Sequence, residues 1–167
     1  MIKDDALLEA AKTAAFRLLA HRGRSVQELA DRLRRKEFPE TVIVEVVCRL
    51  KELNFLDDAA VARQWARSYA VNSLWGDRKI RHRLREMGIS EDLVSKALAE
   101  ARQELPEPIA IEKILKKRSP ERLTGQRNSA KEEQRLIRRL AAKGFAPSSI
   151  FQVLANPVEE DETFDGQ

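Results

Sequence analysis

The stretch SVQELADRLRRKEFPETVIVEVV (Ser25–Val47) decides how the whole chain is read. Ser25-Val-Gln-Glu28 is a capping box, in which the Ser and Glu side chains can each satisfy a free N–H of a helix's first turn. Behind it come Leu29, Leu33, Phe38, Ile43 and Val47, at offsets 0, +4, +9, +14 and +18. The same offsets recur at Ile80, Leu84, Ile89, Val94 and Leu98, and again at Leu136, Leu140, Phe145, Ile150 and Leu154. Self-similarity at a period of about 50 residues is the mark of a repeat architecture.

Each copy reads as helix, turn, helix. The pairs Leu29/Leu33, Ile80/Leu84 and Leu136/Leu140, four residues apart, put two apolar side chains on one face of a short basic helix. The turn follows at Lys36-Glu-Phe38, Met87-Gly-Ile89 and Lys143-Gly-Phe145, with Phe38, Ile89 and Phe145 expected to plug the junction. Gly88 and Gly144 suit the left-handed position that ends a helix. Glu37 stands at that place in the first copy, so either a non-glycine residue accepts left-handed strain of about 1 kcal/mol or that turn is looser. A third helix then starts near Pro39, Ser90 and Ala146-Pro147.

Upstream of each pair lies another amphipathic helix. The spacing predicts one over Asp5–His21 with Ala11, Ala14 and Leu18 inward. A second is predicted over Asp57–Val71 with Ala62, Trp65 and Tyr69 inward and Asp57 as N-cap, and a third near Pro108–Lys117, followed by a polar connection to Asn128. The expected fold is all-α: three tandem three-helix repeats (residues 5–53, 57–104 and 108–155) stacked into an elongated, curved, right-to-left array, with residues 156–167 as an acidic tail. A unit of about 50 residues is near the lower limit of independent stability, so neighbours should lean on one another.

Composition agrees with helices. Charged residues make up 35% of the 167, and there are six Gly and six Pro. Such punctuation is too sparse for a sandwich or barrel. The formal charge of +4 is uneven, because residues 156–167 hold five acids and no Lys or Arg, leaving residues 1–155 at +9. A basic body with an acidic tail is the electrostatic outline of a protein that meets a polyanion, although helical proteins without such a partner share it.

The features that enzymes need are missing. His21 and His82 have no metal-ligand spacing, the glycines form no phosphate loop, and Asp57-Asp58 reads as a helix start. Cys48, on an apolar helix, is expected to be a packed thiol. No catalytic constellation, cofactor or metal is expected. No run is apolar enough for a membrane span or a signal peptide, which points to the cytoplasm and no membrane partner.

The second helix of each copy is the basic one: Arg32, Arg34, Arg35 and Lys36; Arg78, Lys79, Arg81, Arg83 and Arg85; Arg135, Arg138, Arg139 and Lys143. Gly76–Ser90 carries five Lys/Arg against two acids, beside Leu74-Trp75. One reading is a solvated face. The other is contact with an anionic partner, mildly favoured because like charges four apart, such as Arg81/Arg85, cost a few tenths of a kcal/mol in a helix.

The pattern Arg24-Ser-x-x-Glu-Leu29-x-x-x-Leu33, then Phe55-Leu-Asp-Asp58 opening a helix with Ala62-Arg63, resembles the RecX family of bacterial recombination regulators. So do Gly76-x-x-Lys-Ile80-x-x-x-Leu84-x-x-x-Gly-Ile89-Ser90 and Lys143-Gly-Phe145. The match spans about Ala11 to Ala155 in the family's order and spacing. Departures are Glu37 where the family usually has Gly, and Leu74-Trp75 before Gly76. The resemblance implies a monomeric protein that binds the RecA–DNA filament in its helical groove and suppresses ATP hydrolysis, strand exchange and filament extension. DNA would be met indirectly or weakly, through phosphates. On that reading the candidate RecA- or DNA-contacting residues are Arg35, Lys36, Arg63, Arg67, Trp75, Arg78, Lys79, Arg83 and Arg85. The alternative is a direct, sequence-independent nucleic-acid-binding module, since three-helix units with a basic second helix also describe helix-turn-helix readers. A helical scaffold for some other protein is a third possibility.

Overall fold

The computed structural model describes residues 2–118 and 130–155. Nine α-helices occur among them, in three successive triplets, and no strand. The first triplet is α1 (Ile2–His21), α2 (Val26–Arg34) and α3 (Glu40–Glu52); the second is α4 (Asp58–Arg67), α5 (Asp77–Glu86) and α6 (Glu91–Glu104). The third is α7 (Glu107–Arg118), α8 (Ala130–Ala142) and α9 (Pro147–Ala155). The chain divides into two compact units, residues 1–68 with 81–100, and residues 69–80 with 101–167. The polar connection after α7 and the acidic tail lie outside the described residues.

The threefold register is the core. Of its fifteen apolar residues all but Phe38 and Leu154 are buried, and those two pack against the cores of their units. In the first unit Leu29, Leu33, Ile43, Val46 and Leu50 close on the alanine face of α1. In the second, Leu136, Leu140, Phe145 and Ile150 close on Ala110, Ile111, Ile114 and Leu115 of α7. Ala11 and Ala62 face inward as expected, but the rest of the buried stripe on the first two such helices follows the alanines. Ala11 and Ala15, and Ala62, Ala66 and Ala70, are fully buried, while Ala14, Leu18, Trp65 and Tyr69 are half-buried. Alanines four apart let the helix approach closely, and the bulky side chains beside them cover the flanks.

The start and stop signals take their expected forms. Ser25 is the N-cap of α2, its hydroxyl accepting from the Glu28 N–H at 3.1 Å, and Asp57 caps α4 by accepting from the N–H groups of Ala59 and Ala60. The Ser25 hydroxyl also donates to the Met87 carbonyl, and the Asp58 carboxylate accepts from the Val26 N–H at 2.8 Å. The helix from Asp57 differs from expectation at its end. It widens into a π-helical turn over Ser68–Asn72, which frees the Tyr69 carbonyl to accept from the Trp75 N–H at 3.0 Å.

The three turns share one geometry. Glu37, Gly88 and Gly144 have φ of 64°, 76° and 91°, so the first turn takes the left-handed conformation without a glycine. Relief of left-handed strain is worth about 1 to 2 kcal/mol, and the extra freedom of an unfolded glycine costs about 0.5 to 1. Glu37→Gly should therefore stabilise the protein slightly, by about 0.5 kcal/mol. Urea unfolding that showed a loss of stability would mean that exposed Glu37 contributes more than its backbone strain removes.

Cys48 corrects the sequence reading. It is exposed, because α3 turns Val42, Ile43, Val46, Val47 and Leu50 inward and residue 48 falls just outside that stripe. In the next connection Asn54 is left-handed (φ 58°), Leu56 enters the core, and Phe55 stays out against Phe16, edge to face at 5.2 Å between centroids.

Candidate functional site

In the second unit, the residues leading into α5 form a braced loop. Leu74 is left-handed at φ 51°, and Trp75 and Gly76 follow before Asp77 opens the helix. The N–H groups that a helix start leaves unpaired are all taken here. Gly76 N–H donates to the Lys143 carbonyl at 2.9 Å, Asp77 N–H to Glu107 Oε1 at 2.8 Å, and Arg78 N–H to the Gly144 carbonyl at 3.1 Å. Gly76 is buried so tightly that an added Cβ would fall 2.2 Å from the Gly144 carbonyl carbon. The turn of the third repeat thus serves as the cap of α5. Glu107 also accepts from the Ser149 hydroxyl at 2.8 Å, and Lys143 donates to the Ser73 carbonyl at 3.2 Å.

Trp75, Arg78 and Lys79 are the predicted contact residues brought together on this loop. The Trp75 ring stacks on Tyr69 at 4.5 Å and 7°, and the Lys79 ammonium sits 4.2 Å from its centroid. The Tyr69 ring and the Lys79 ammonium thus both already lie against Trp75. That counts against stacking on bases, the usual role of an aromatic in single-strand binding. Arg78 is exposed, and its guanidinium has no hydrogen-bond or ion-pair partner among the described residues.

The other predicted residues, Arg35, Lys36, Arg63, Arg67, Arg83 and Arg85, belong to the first unit and are all exposed. Arg83 pairs with Glu86 at 3.0 Å, and Glu91 takes both Arg85, at 3.7 Å, and Arg81. A carboxylate shared by Arg81 and Arg85 offsets the like-charge cost that had favoured an anionic partner. Arg81 and Arg85 therefore need no external anion to sit four residues apart. Arg35, Lys36 and Arg63 have no ion-pair partner among the described residues, whereas Arg34 is held by Asp31 and Glu40. Arg24, in the motif before α2, is 8% exposed and donates from Nε to the Leu18 carbonyl at the end of α1, a bracing role.

Two groups escaped sequence reading. Arg102, whose side chain is 14% exposed, bridges Asp77 at 2.6 Å and the Trp75 carbonyl at 2.8 Å, with Glu107 at 3.8 Å. Arg22 lies over the Trp65 ring at 5.3 Å and grips Glu28 through two bonds of 2.6 and 3.2 Å. Both join residues far apart in the chain, which helical periodicity does not register. Burial pushes the Glu28 pKa up, but the hydrogen bonds and charge of Arg22 outweigh it and leave the carboxyl below the ordinary glutamate value. A depressed folded pKa adds stability that is present above the unfolded value and is lost as pH falls through the folded one. Glu28→Gln should therefore lower the urea midpoint at neutral pH, and the deficit should shrink as pH falls below the normal glutamate range. A deficit constant from pH 6 to pH 3 would assign it to lost packing instead.

Among the described residues no cluster of His, Cys, Asp and Glu could hold a metal, and no helix is long and apolar enough to cross a membrane.

The family descriptions of RecX match this chain twice, its first three-helix domain over residues 11–50 and its second over residues 57–98. A Regulatory protein RecX from Mycolicibacterium smegmatis is 33% identical over 148 residues, covering 88% of this chain and 79% of that protein. The chain belongs to the RecX family. A Regulatory protein RecX from Streptomyces lividans is 29% identical over 154 residues, 92% of this chain and 80% of that one. The crystal structure of RecX from Lactobacillus salivarius has the same fold, with a TM-score of 0.77 at 21% identity over 93% of this chain and 97% of that chain. RecX membership gives this protein a regulatory role.

Proposed function

We propose that this protein regulates recombination by binding the RecA–DNA filament and restraining it, lowering ATP hydrolysis, strand exchange and filament extension. Membership of the RecX family carries this reading. The protein acts in the cytoplasm as a monomer, without a cofactor. It meets the filament through Arg35, Lys36, Arg63, Arg67, Arg83 and Arg85 of the first unit and through Trp75, Arg78 and Lys79 of the second. Arg78 and Lys79 contribute most among the α5 residues. Arg78 has no partner to give up among the described residues, whereas Arg83 and Arg85 already hold Glu86 and Glu91. Electrostatic contacts of this kind set association rate and salt dependence, and reversing one places like charges together.

The test is RecA ATPase on single-stranded DNA, titrated with wild type, Arg78→Glu/Lys79→Glu and Arg83→Glu/Arg85→Glu. The wild type should inhibit. The first pair should raise the half-inhibiting concentration about tenfold or more, roughly 1.4 kcal/mol, and the second pair distinctly less. No inhibition by wild type would overturn the proposal. Tight binding to bare DNA that falls steeply with salt and needs no RecA would favour the direct nucleic-acid module. The Tyr69 ring and Lys79 ammonium already held against Trp75 argue against that outcome.

A further inference from the structure

We infer that Arg102 is the positioning residue of the Trp75–Lys79 contact loop, holding Arg78 and Lys79 in the geometry that meets the partner. The inference rests on the filament-binding reading above and names what keeps that site in shape.

The loop does not hold itself. Leu74 is left-handed without being glycine, a conformation that persists only where the surroundings impose it. Gly76, beside it, has no side chain with which to anchor. Arg102 supplies the missing side-chain tether from α6. Its Nε–H donates to Asp77 at 2.6 Å, one Nη to the Trp75 carbonyl at 2.8 Å and the other to the Leu105 carbonyl at 3.1 Å. A guanidinium presents five donors in a rigid plane, so three acceptors engaged at once fix the relative placement of Trp75, Asp77 and the end of α6. Glu107 lies 3.8 Å from the same guanidinium and accepts from Asp77 N–H, which closes the frame around the first turn of α5. What the frame presents is an ammonium over Trp75 and the unpaired guanidinium of Arg78. Two cations held at fixed spacing suit a carboxylate or phosphate surface better than two mobile ones, because less side-chain freedom is lost on binding.

Lysine cannot replace this arginine. An ammonium keeps the charge but is a point donor, unable to span Asp77 and two carbonyls together.

Full-length protein in a Trp65→Phe background leaves Trp75 as the sole tryptophan, so acrylamide quenching reports the order of the loop. Its affinity for ATP-loaded RecA filaments is measured in parallel for Arg102→Ala, Arg102→Lys, Arg78→Ala and the double variant Arg102→Ala/Arg78→Ala. Both Arg102 variants should raise the quenching constant about twofold by opening the Tyr69–Trp75–Lys79 stack, and weaken filament binding about fivefold to tenfold. The decisive reading is the cycle. Arg78→Ala should weaken binding about fivefold in the parent and less than twofold once Arg102 is gone, since contacts that act as one unit are not additive. Additive losses, or unchanged quenching, would reduce Arg102 to a structural residue of α6 and overturn the inference, as would wild-type behaviour of Arg102→Lys. If Arg78→Ala in the parent leaves filament binding intact, the contact assignment itself falls and the inference with it, a result separable from the others because the quenching data stand apart.

Discussion

Gly76→Ala should destabilise the second unit by about 3 kcal/mol or more. The added Cβ would lie 2.2 Å from the Gly144 carbonyl carbon and the Phe145 nitrogen, and 2.3 Å from the Gly144 oxygen. All three are backbone atoms, so no rotamer change relieves the clash. The two segments would have to part, and the bonds from Gly76 N–H to Lys143 and from Arg78 N–H to Gly144 would part with them. Urea unfolding followed by Trp75 fluorescence in the Trp65→Phe background should show an early transition. Gly88→Ala makes the informative comparison. Its Cβ would fall 2.5 Å from Gln27 Cβ, which no rotamer change moves, so α2 must shift there too, and a left-handed alanine at φ +76° adds about 1 to 2 kcal/mol. An unchanged midpoint for Gly76→Ala would show that the two segments are not in contact as described.

Phe145→Ala should cost about 3 to 5 kcal/mol, the range for emptying a fully buried aromatic site. Phe145 is 0% exposed and packs with Leu140, Ile150 and the α7 residues Ile111 and Leu115. Its backbone also belongs to the turn that caps α5, so a cavity there should loosen the contact loop as well as the core. Phe38 holds the same place in the first repeat but is only half-buried, so Phe38→Ala removes less surface from apolar contact and should cost about half as much. Thermal unfolding of the two variants compares them directly. Equal shifts would mean that the register position, rather than burial, sets the energy.

Much of the fold could be read from residues 25–47 and their two echoes, because an apolar stripe at helical spacing states which face of a helix must leave water. The left-handed turns were equally legible at Gly88 and Gly144, and Glu37 shows that the geometry outlasts the glycine where neighbouring contacts impose it. Within the first helices Ala11 and Ala62 face the core as the spacing predicts, while Trp65 and Tyr69 do so only in part. Trp65 and Tyr69 look like core residues by hydrophobicity, but the close approach of the packed helices selected the alanines instead. Cys48 was misplaced for a similar reason, since an apolar neighbourhood in sequence includes the outer side of the helix.

The candidate site was legible as composition and not as geometry. Counting Lys and Arg marked residues 78–85 as one basic cluster, yet Arg81 and Arg85 share Glu91, Arg83 holds Glu86, and Arg78 alone of the four arginines has no ion-pair partner among the described residues.

The threefold register, the helical class, the caps at Ser25 and Asp57 and the resemblance to RecX were all determined by sequence alone. Each depends on residues within a few turns of one another, whose spacing along the chain is also their spacing in space. Tertiary structure decided which cations are already paired, that the third repeat's turn caps α5, and that Arg102 braces Trp75 and Asp77. The last two join residues about 25 to 70 positions apart, and only the packing of helices brings such residues within hydrogen-bonding distance.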